Sequence, residues 1–314
     1  MSYAHAQYAH SLADFGSPRH LPRCGGWVLE RTIPGAGGLR DATGCYPLFR
    51  CADWSGLPAD LAQLRRDGLV SLVLVADPLS APSPDRLRDW CNGLLAPYKR
   101  HHLVDLARPL AATASAHHRR YARRCAKLVD IEPCRAPLDH LDDWCRLYAE
   151  LADQHAMSGP ARFSRDAFRL QLGLPGARLL RAVAPDGAVV GMQLWFADGE
   201  RAWYHLGAHG AAGYAAGVSF GLFAAAFELL RREGVRTADL GGGAGLADDP
   251  EDGLSRFKAG WATHTVTAWL GGAVLDRTAY ARLCAGRQGA YFPLYRAPAP
   301  VRADVPEDLH AHVG

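Results

Sequence analysis

The order of hydrophobic and polar positions divides the chain into short strand and helix segments. Residues 27–33 (WVLERTI) alternate and predict a strand that the glycines at 35–38 end. Residues 46–51 are a second candidate strand, and Leu57, Leu61 and Leu64 fall at helical spacing within 57–66. The run LVSLVLVA at 69–76 is continuously apolar and of strand length, the pattern of a buried parallel strand. A helix over 84–95, with Leu87, Trp90, Cys91 and Leu94 on its inner face, and a strand over 102–106 complete a βαβ order. Residues 1–25 show no period and are expected to form a loosely held arm.

A second, stronger unit occupies 201–261. Residues 178–183, 188–196 and 201–208 predict an antiparallel meander turning at Pro185-Asp186-Gly187 and Asp198-Gly199. A loop rich in glycine and alanine (HGAAGYAAG, 209–217) leads into 218–232, where apolar residues cover nearly every face and predict a helix buried on both sides. Gly234 ends that helix after Arg231 and Arg232, which suit the negative end of its dipole, and 235–240 (VRTADL) predict a strand parallel to the first. Gly241, Gly242 and Gly243 follow, then an acidic loop at 248–252, then a short helix at 254–261 (LSRFKAGW). A strand at 263–270, a helix at 277–285 and a proline- and charge-rich tail at 298–314 close the chain.

Between the two βαβ units lie two amphipathic helices. In the first, at 117–127, Arg119, Arg120, Arg123, Arg124 and Lys127 recur at intervals of three, four or seven, opposite Tyr121, Cys125 and Leu128. Such a face is either a solvated surface or a contact for phosphates, those of the acceptor arm of a tRNA or of coenzyme A. The second, at 137–151, buries Leu138, Leu141, Cys145 and Tyr148.

Composition narrows the classes. At 314 residues, 49% hydrophobic and 21% charged, the chain has the balance of an ordinary globular protein. A net charge of +3 does not by itself advertise a nucleic-acid binder, so any such partner is met by a local patch. No apolar stretch reaches the length of a membrane span and the amino terminus lacks a leader pattern, so the expected location is the cytoplasm. The eight cysteines form no C-x-x-C pair or metal spacing and are expected to be reduced thiols.

The absence of known motifs weakens hydrolase and nucleotide-cofactor chemistry, and placement singles out a few side chains. There is no nucleophile elbow, Walker loop, H-E-x-x-H pair or dinucleotide fingerprint. Lys258, between Phe257 and small Ala259 and Gly260, is placed to act as a partly dehydrated cation on a developing oxyanion, or else is a surface lysine of an amphipathic turn. Asp239 ends a central strand, where open α/β sheets line their crevices. His205 and His209 are candidates to accept a proton from an attacking amine, or else structural histidines.

The order strand, glycine loop, buried helix, ADLGGG, acidic loop, FKAGW, preceded by HHRRYARRCAK and RFSRDAFRLQL, resembles the FemABX-like members of the GNAT acyltransferase superfamily over about 111–269. The resemblance implies an α/β fold of two GNAT-like lobes, each a mixed sheet flanked by helices: a degenerate lobe at 1–110, the basic connecting helix at 111–129, a catalytic lobe at 130–285 and a tail at 286–314. It implies transfer of an aminoacyl group from aminoacyl-tRNA to an amine, with Phe257 near the reacting ester and Lys258 at the oxyanion. Donor contacts are expected from Arg119, Arg120, Arg123 and Arg124 and from Gly213 and Gly217 of the glycine loop. The GNAT acetyl-CoA loop begins with Arg or Gln, whereas the nearest match here, 210–215, begins with Gly210. An acyl-CoA-dependent N-acyltransferase of a small metabolite is therefore the alternative, and a non-catalytic nucleic-acid or ligand-binding module a further one. No resident cofactor or metal is expected; coenzyme A enters only as a thioester co-substrate.

Overall fold

The structure, a computed structural model, describes residues 3–154, 162–244 and 252–298. In the amino-terminal half the elements are α1 (Ala6–His10), β1 (Ser17–Leu21), β2 (Gly26–Thr32), β3 (Arg40–Gly44), α2 (Leu57–Arg66), β4 (Leu69–Ala76), α3 (Pro84–Trp90) and β5 (Leu94–Asp105). The short α4 (Leu110–Thr113) and the basic α5 (Ala116–Cys125) lead to β6 (Asp130–Cys134), α6 (Leu141–Gln154), α7 (Arg165–Leu172), β7 (Ala177–Val183), β8 (Val189–Asp198) and β9 (Arg201–His209). Then come α8 (Ala211–Ala216), α9 (Val218–Arg232), β10 (Thr237–Asp239), α10 (Gly253–Ala259), β11 (His264–Val274) and α11 (Arg277–Leu283).

All eleven of these strands form one mixed sheet in the order β1-β2-β3-β4-β11-β5-β10-β9-β8-β7-β6. Each half contains one parallel pair joined through a helix, β3 to β4 through α2 and β9 to β10 through α9. The last strand of each half lies against the other half: β11 pairs with β4, and β5 pairs with β10. β5 and β11 also pair with each other, which welds the halves into one surface. Because β4 and β10 enter this central pair from opposite sides, their carboxyl ends converge on the middle of β5.

Two large cores cover the two faces. On one, α1, α6 and α7 bury Tyr3, Tyr8, Trp144, Phe168, Phe196 and Trp203; on the other, α5, α9 and α10 bury Trp195, Phe223, Phe227 and Trp261. α9 is apolar on both sides because it lies between the sheet and α5, with Gly221 placed where a Cβ would meet Cys125 Sγ at 2.6 Å.

Several sequence expectations change. The amino-terminal arm is not loose: Tyr3, Tyr8, Ala9 and Leu12 are all but fully buried, and β1 pairs with β2. The two tyrosine rings insert edge-on against Phe196 and Trp203, a long-range contact that leaves no local period. Residues 46–51 form no strand, only a single bridge from Phe49 to Ala76. The helix expected over 84–95 ends at Trp90, and β5 runs for 12 residues rather than five. Its polar stretch, Lys99 to His102, masks the strand in the hydrophobic pattern. The glycine-alanine loop at 209–217 contains the six-residue α8. Of the acidic loop at 248–252 only Asp252 lies among the described residues, and the tail from 299 lies outside them.

Candidate active site

β9 and β10 share only three register pairs, from Arg201 with Thr237 to Trp203 with Asp239. β9 then continues to His209 without β10 beside it, so the two parallel strands part at the carboxyl end of β10. Chain reversal there is made by Gly241, whose φ of +75° is open to glycine and strained for other residues. The opening sits beside the three-glycine turn, and the charged side chains of the region gather on that turn.

Lys258 reaches the turn from α10. Asp252 caps this helix by accepting from the Leu254 and Ser255 amides, which fixes where the lysine projects. Lys258 is 5% exposed; its Nζ donates to the Gly242 carbonyl oxygen at 2.6 Å and lies 5.7 Å from the centre of the Tyr204 ring. Burial pulls its pKa down to about 8; Lys99 acts in the same direction and Asp239 in the opposite one. Below that value the side chain is a buried cation with one donor committed and two N–H groups left to spend. Lys99, from β5, donates to the next carbonyl of the turn, that of Gly243, at 2.7 Å.

Asp239 lies at the base of the same turn, 1% exposed. Its Oδ1 accepts the Gly241 amide at 2.7 Å, and its Oδ2 is 2.8 Å from Nδ1 of His101 on β5. Asp239 thus has a histidine partner that the sequence pattern does not single out. A polar run inside an otherwise apolar strand is the one signal that points to it. A neighbouring cluster is built on Arg50, which pairs with Asp77 at 3.1 Å and Asp198 at 2.8 Å and stacks over Trp203 at 4.3 Å. Burial raises the Asp77 pKa.

Phe257 faces the opposite way from Lys258 and packs against Phe220 and Phe223 of α9, so in this structure it positions α10. His205 is tied into the core, stacked on Phe196, with Nδ1 3.2 Å from the Tyr3 hydroxyl and Nε2 3.2 Å from Gln171 Oε1. Burial pulls its pKa down to about 3, and with both ring nitrogens engaged it is a core histidine rather than a proton acceptor for an incoming amine. His209 ends β9, its ring 5.8 Å from that of Tyr214.

The basic helix and the lysine helix are joined directly. Burial lowers the pKa of His118 of α5; its Nδ1 meets the Ser115 hydroxyl at 2.8 Å, and its Nε2 lies 2.8 Å from the Phe257 carbonyl oxygen. That second bond requires an N–H at Nε2, so the ring links α5 to the residue preceding Lys258. On the outer side of α5, Arg120, Arg123 and Arg124 are exposed and make no ion pair among the described residues, while Arg119 turns back to the Ala111 carbonyl. The four arginines thus divide into a structural one and an open basic face of three.

The glycine loop is folded tightly. A Cβ on Gly213 would lie 2.1 Å from the Val190 carbonyl oxygen, which explains this glycine by close packing of α8 on β8. Gly217, with φ of +68°, is the hinge between α8 and α9. A Cβ on Gly210, at the head of the loop, would lie 2.7 Å from a carboxylate oxygen of Glu150.

Residues 112–259 match the family described as the acetyltransferase (GNAT) domain. This stretch is similar to a GNAT acetyltransferase domain. It begins beside α4, contains the whole of α5 to α10, and so includes both the open basic face and Lys258. Over most of the chain, the fold is similar to that of several solved structures. The crystal structure of FemX superposes with a TM-score of 0.69 at 12% identity over 88% of this chain and 93% of that one. The C-terminal domain of a putative lysylphosphatidylglycerol synthetase from Agrobacterium fabrum gives 0.62 at 16% identity over 88% and 90%. L-PGS from Bacillus licheniformis gives 0.57 at 13% identity over 88% and 94%. No curated protein matches the sequence. The FemABX-like GNAT fold expected from the motifs is therefore the observed one, realised as a single sheet whose halves exchange their last strands around the GNAT domain's crevice. Among the described residues no group of side chains could hold a metal ion, and no helix is long and apolar enough to cross a membrane.

Proposed function

We propose that this GNAT domain transfers an aminoacyl group from aminoacyl-tRNA to an amine, forming an amide. The observation that carries the reading is the coupling of α5 to α10 through His118: the open face of Arg120, Arg123 and Arg124 lies on the helix that holds the backbone next to Lys258. A polyanionic donor gripped on that face would have its ester end delivered toward a buried cation. Arginines without ion-pair partners suit phosphates spaced along a nucleic-acid backbone. The glycine loop supports the same donor over coenzyme A. Its head faces Glu150, and Gly213 is packed shut against Val190, so a pyrophosphate there would meet a carboxylate in place of the arginine or glutamine of the acetyl-CoA pattern. The fold shared with FemX and the lysylphosphatidylglycerol synthetases is consistent with this choice.

In the proposed reaction the amine attacks the ester carbonyl, charge moves to the carbonyl oxygen, and Lys258 stabilises it. The direct test presents the protein with tRNA charged with labelled amino acids and, separately, with labelled acetyl-CoA, using hydroxylamine as a general amine acceptor. Label released from tRNA as the hydroxamate supports the reading. Release from acetyl-CoA with none from tRNA would replace it by the acyl-CoA-dependent alternative.

A further inference from the structure

We propose that His101 is the residue that shuttles the proton during acyl transfer, held in position by Asp239; this rests on the acyl-transfer reading above. The two side chains come from different halves of the sheet and meet because β5 crosses to pair with β10. Asp239 accepts at both oxygens, from the Gly241 amide at 2.7 Å and from His101 at 2.8 Å. A carboxylate only accepts, so the proton of the neutral imidazole is on Nδ1, and Nε2 carries the lone pair. His101 is 7% exposed, and its Nε2 has no partner among the described residues and is not closed off from solvent. A histidine buried at one nitrogen against a carboxylate and open at the other is arranged to take a proton and return it.

Its neighbours locate the chemistry. A single turn gathers the groups: Asp239 with Gly241 and His101, then Gly242 with Lys258, then Gly243 with Lys99. The charged groups on this turn are thus Asp239 from β10, paired with His101, Lys99 from the same strand as His101, and Lys258 from α10. A reacting carbonyl at the mouth of the parted strands would have Lys258 on the side of its oxygen and His101 within the same turn.

The amine nitrogen forms its bond to the ester carbon while the carbonyl π pair moves to oxygen, giving an oxyanion beside Lys258 and a positively charged nitrogen. His101 Nε2 removes one proton from that nitrogen. The oxyanion then collapses, the bond to the ribose oxygen breaks, and that oxygen takes the proton from Nε2. An ester and an amine become an amide and an alcohol, and His101 ends neutral, with no further reactant consumed. His101 is then the catalytic residue and Asp239 a positioning residue.

The experiment compares wild type, His101→Ala and Asp239→Asn with an alkylamine acceptor, with hydroxylamine, and with added imidazole. Proton transfer by a placed base contributes roughly a hundredfold to ten-thousandfold. The alkylamine rate of His101→Ala should fall by about that factor, the hydroxylamine rate, whose nitrogen is far less basic, by under about tenfold, and added imidazole should restore part of the alkylamine rate. Asp239→Asn should show the same selective loss of alkylamine transfer, without rescue. Equal losses with both acceptors and no rescue by imidazole in a variant that melts like wild type would overturn the proposal, because a merely structural histidine produces that result. If His101→Ala fails to fold, Asp239→Asn decides, and equal losses with both acceptors again overturn the proposal. The donor question is separate: if wild type uses acetyl-CoA and not aminoacyl-tRNA, the reading of the donor fails while the same comparison, run on acetyl-CoA, still decides the role of His101. A wild type inert to both donors overturns both.

Discussion

The ammonium of Lys258 donates to the carbonyl oxygen of Gly242 at 2.6 Å, and this bond fixes a buried cation at the carboxyl end of β10 where the sheet opens. A lysine held by a backbone carbonyl needs no carboxylate partner in contact and stays available to a new negative charge. The cost is desolvation, visible in the lowered pKa. That cost and that availability are two sides of one arrangement, and each has a measurable consequence.

Lys258 holds its proton in the folded protein only up to a pH of about 8, against 10.5 for the free side chain. A role as cation therefore predicts a turnover that falls as pH rises through about 8, whereas a role as base predicts a rise there. Stability follows from the same shift. Because the folded value is the lower one, the buried charge opposes folding fully below about pH 8, and that opposition fades as pH climbs to 10.5. The shift corresponds to up to about 3 kcal/mol, so Lys258→Met should melt higher than wild type at pH 7 and lose that advantage near pH 10.5. A Lys258→Met protein with an unchanged melting temperature at pH 7 would contradict the buried-cation description.

Arg120→Ala with Arg124→Ala should weaken donor binding and spare the rate at saturation. Each lost phosphate contact should lower the slope of log affinity against log salt by roughly 0.7 to 0.9. Titration of the double variant with tRNA at several salt concentrations checks this; an unchanged slope would return the face to the role of a solvated surface.

Gly260→Ala tests the joint between α5 and α10. A Cβ there would lie 2.0 Å from Cε1 of His118, a ring held by hydrogen bonds at both nitrogens and unable to swing aside. Overpacking of this kind costs about 1–3 kcal/mol. The variant should melt at lower temperature and lose turnover as well, because the displaced ring carries the Phe257 carbonyl and with it the position of Lys258. Lowered stability with full turnover would show that α10 keeps its place without His118.

Much of the fold is legible in the sequence because local pattern decides it. α2, β4 and α9 lie where apolar spacing places them, since each meets its core with its own periodicity. What escapes is long-range. Tyr3 and Tyr8 give no period because they act as single plugs under α6 and α7, and β5 is obscured by the polar residues Lys99 and His101 that serve the turn. The candidate site divides in the same way. Lys258 and Asp239 can be found from their place after a strand and within a small-residue turn. His205 looks like a site residue in the sequence and is a core one in the structure, because alternation along β9 does not reveal that distant Tyr3 and Gln171 engage both of its ring nitrogens. His101 is marked only by the polar run within β5, because its partner lies 138 positions away.

The most direct test of Lys258 as the oxyanion contact is the rate of a single turnover of Lys258→Ala with saturating donor, set beside its donor affinity. Loss of one fixed contact to an oxyanion lowers the rate by on the order of a hundredfold to a thousandfold. The expected result is a loss of that size with the dissociation constant little changed, and incomplete recovery in Lys258→Arg, whose planar head cannot occupy the place beside the Gly242 carbonyl. An unchanged rate with weakened binding would contradict it, making Lys258 a substrate contact and leaving the oxyanion to another group.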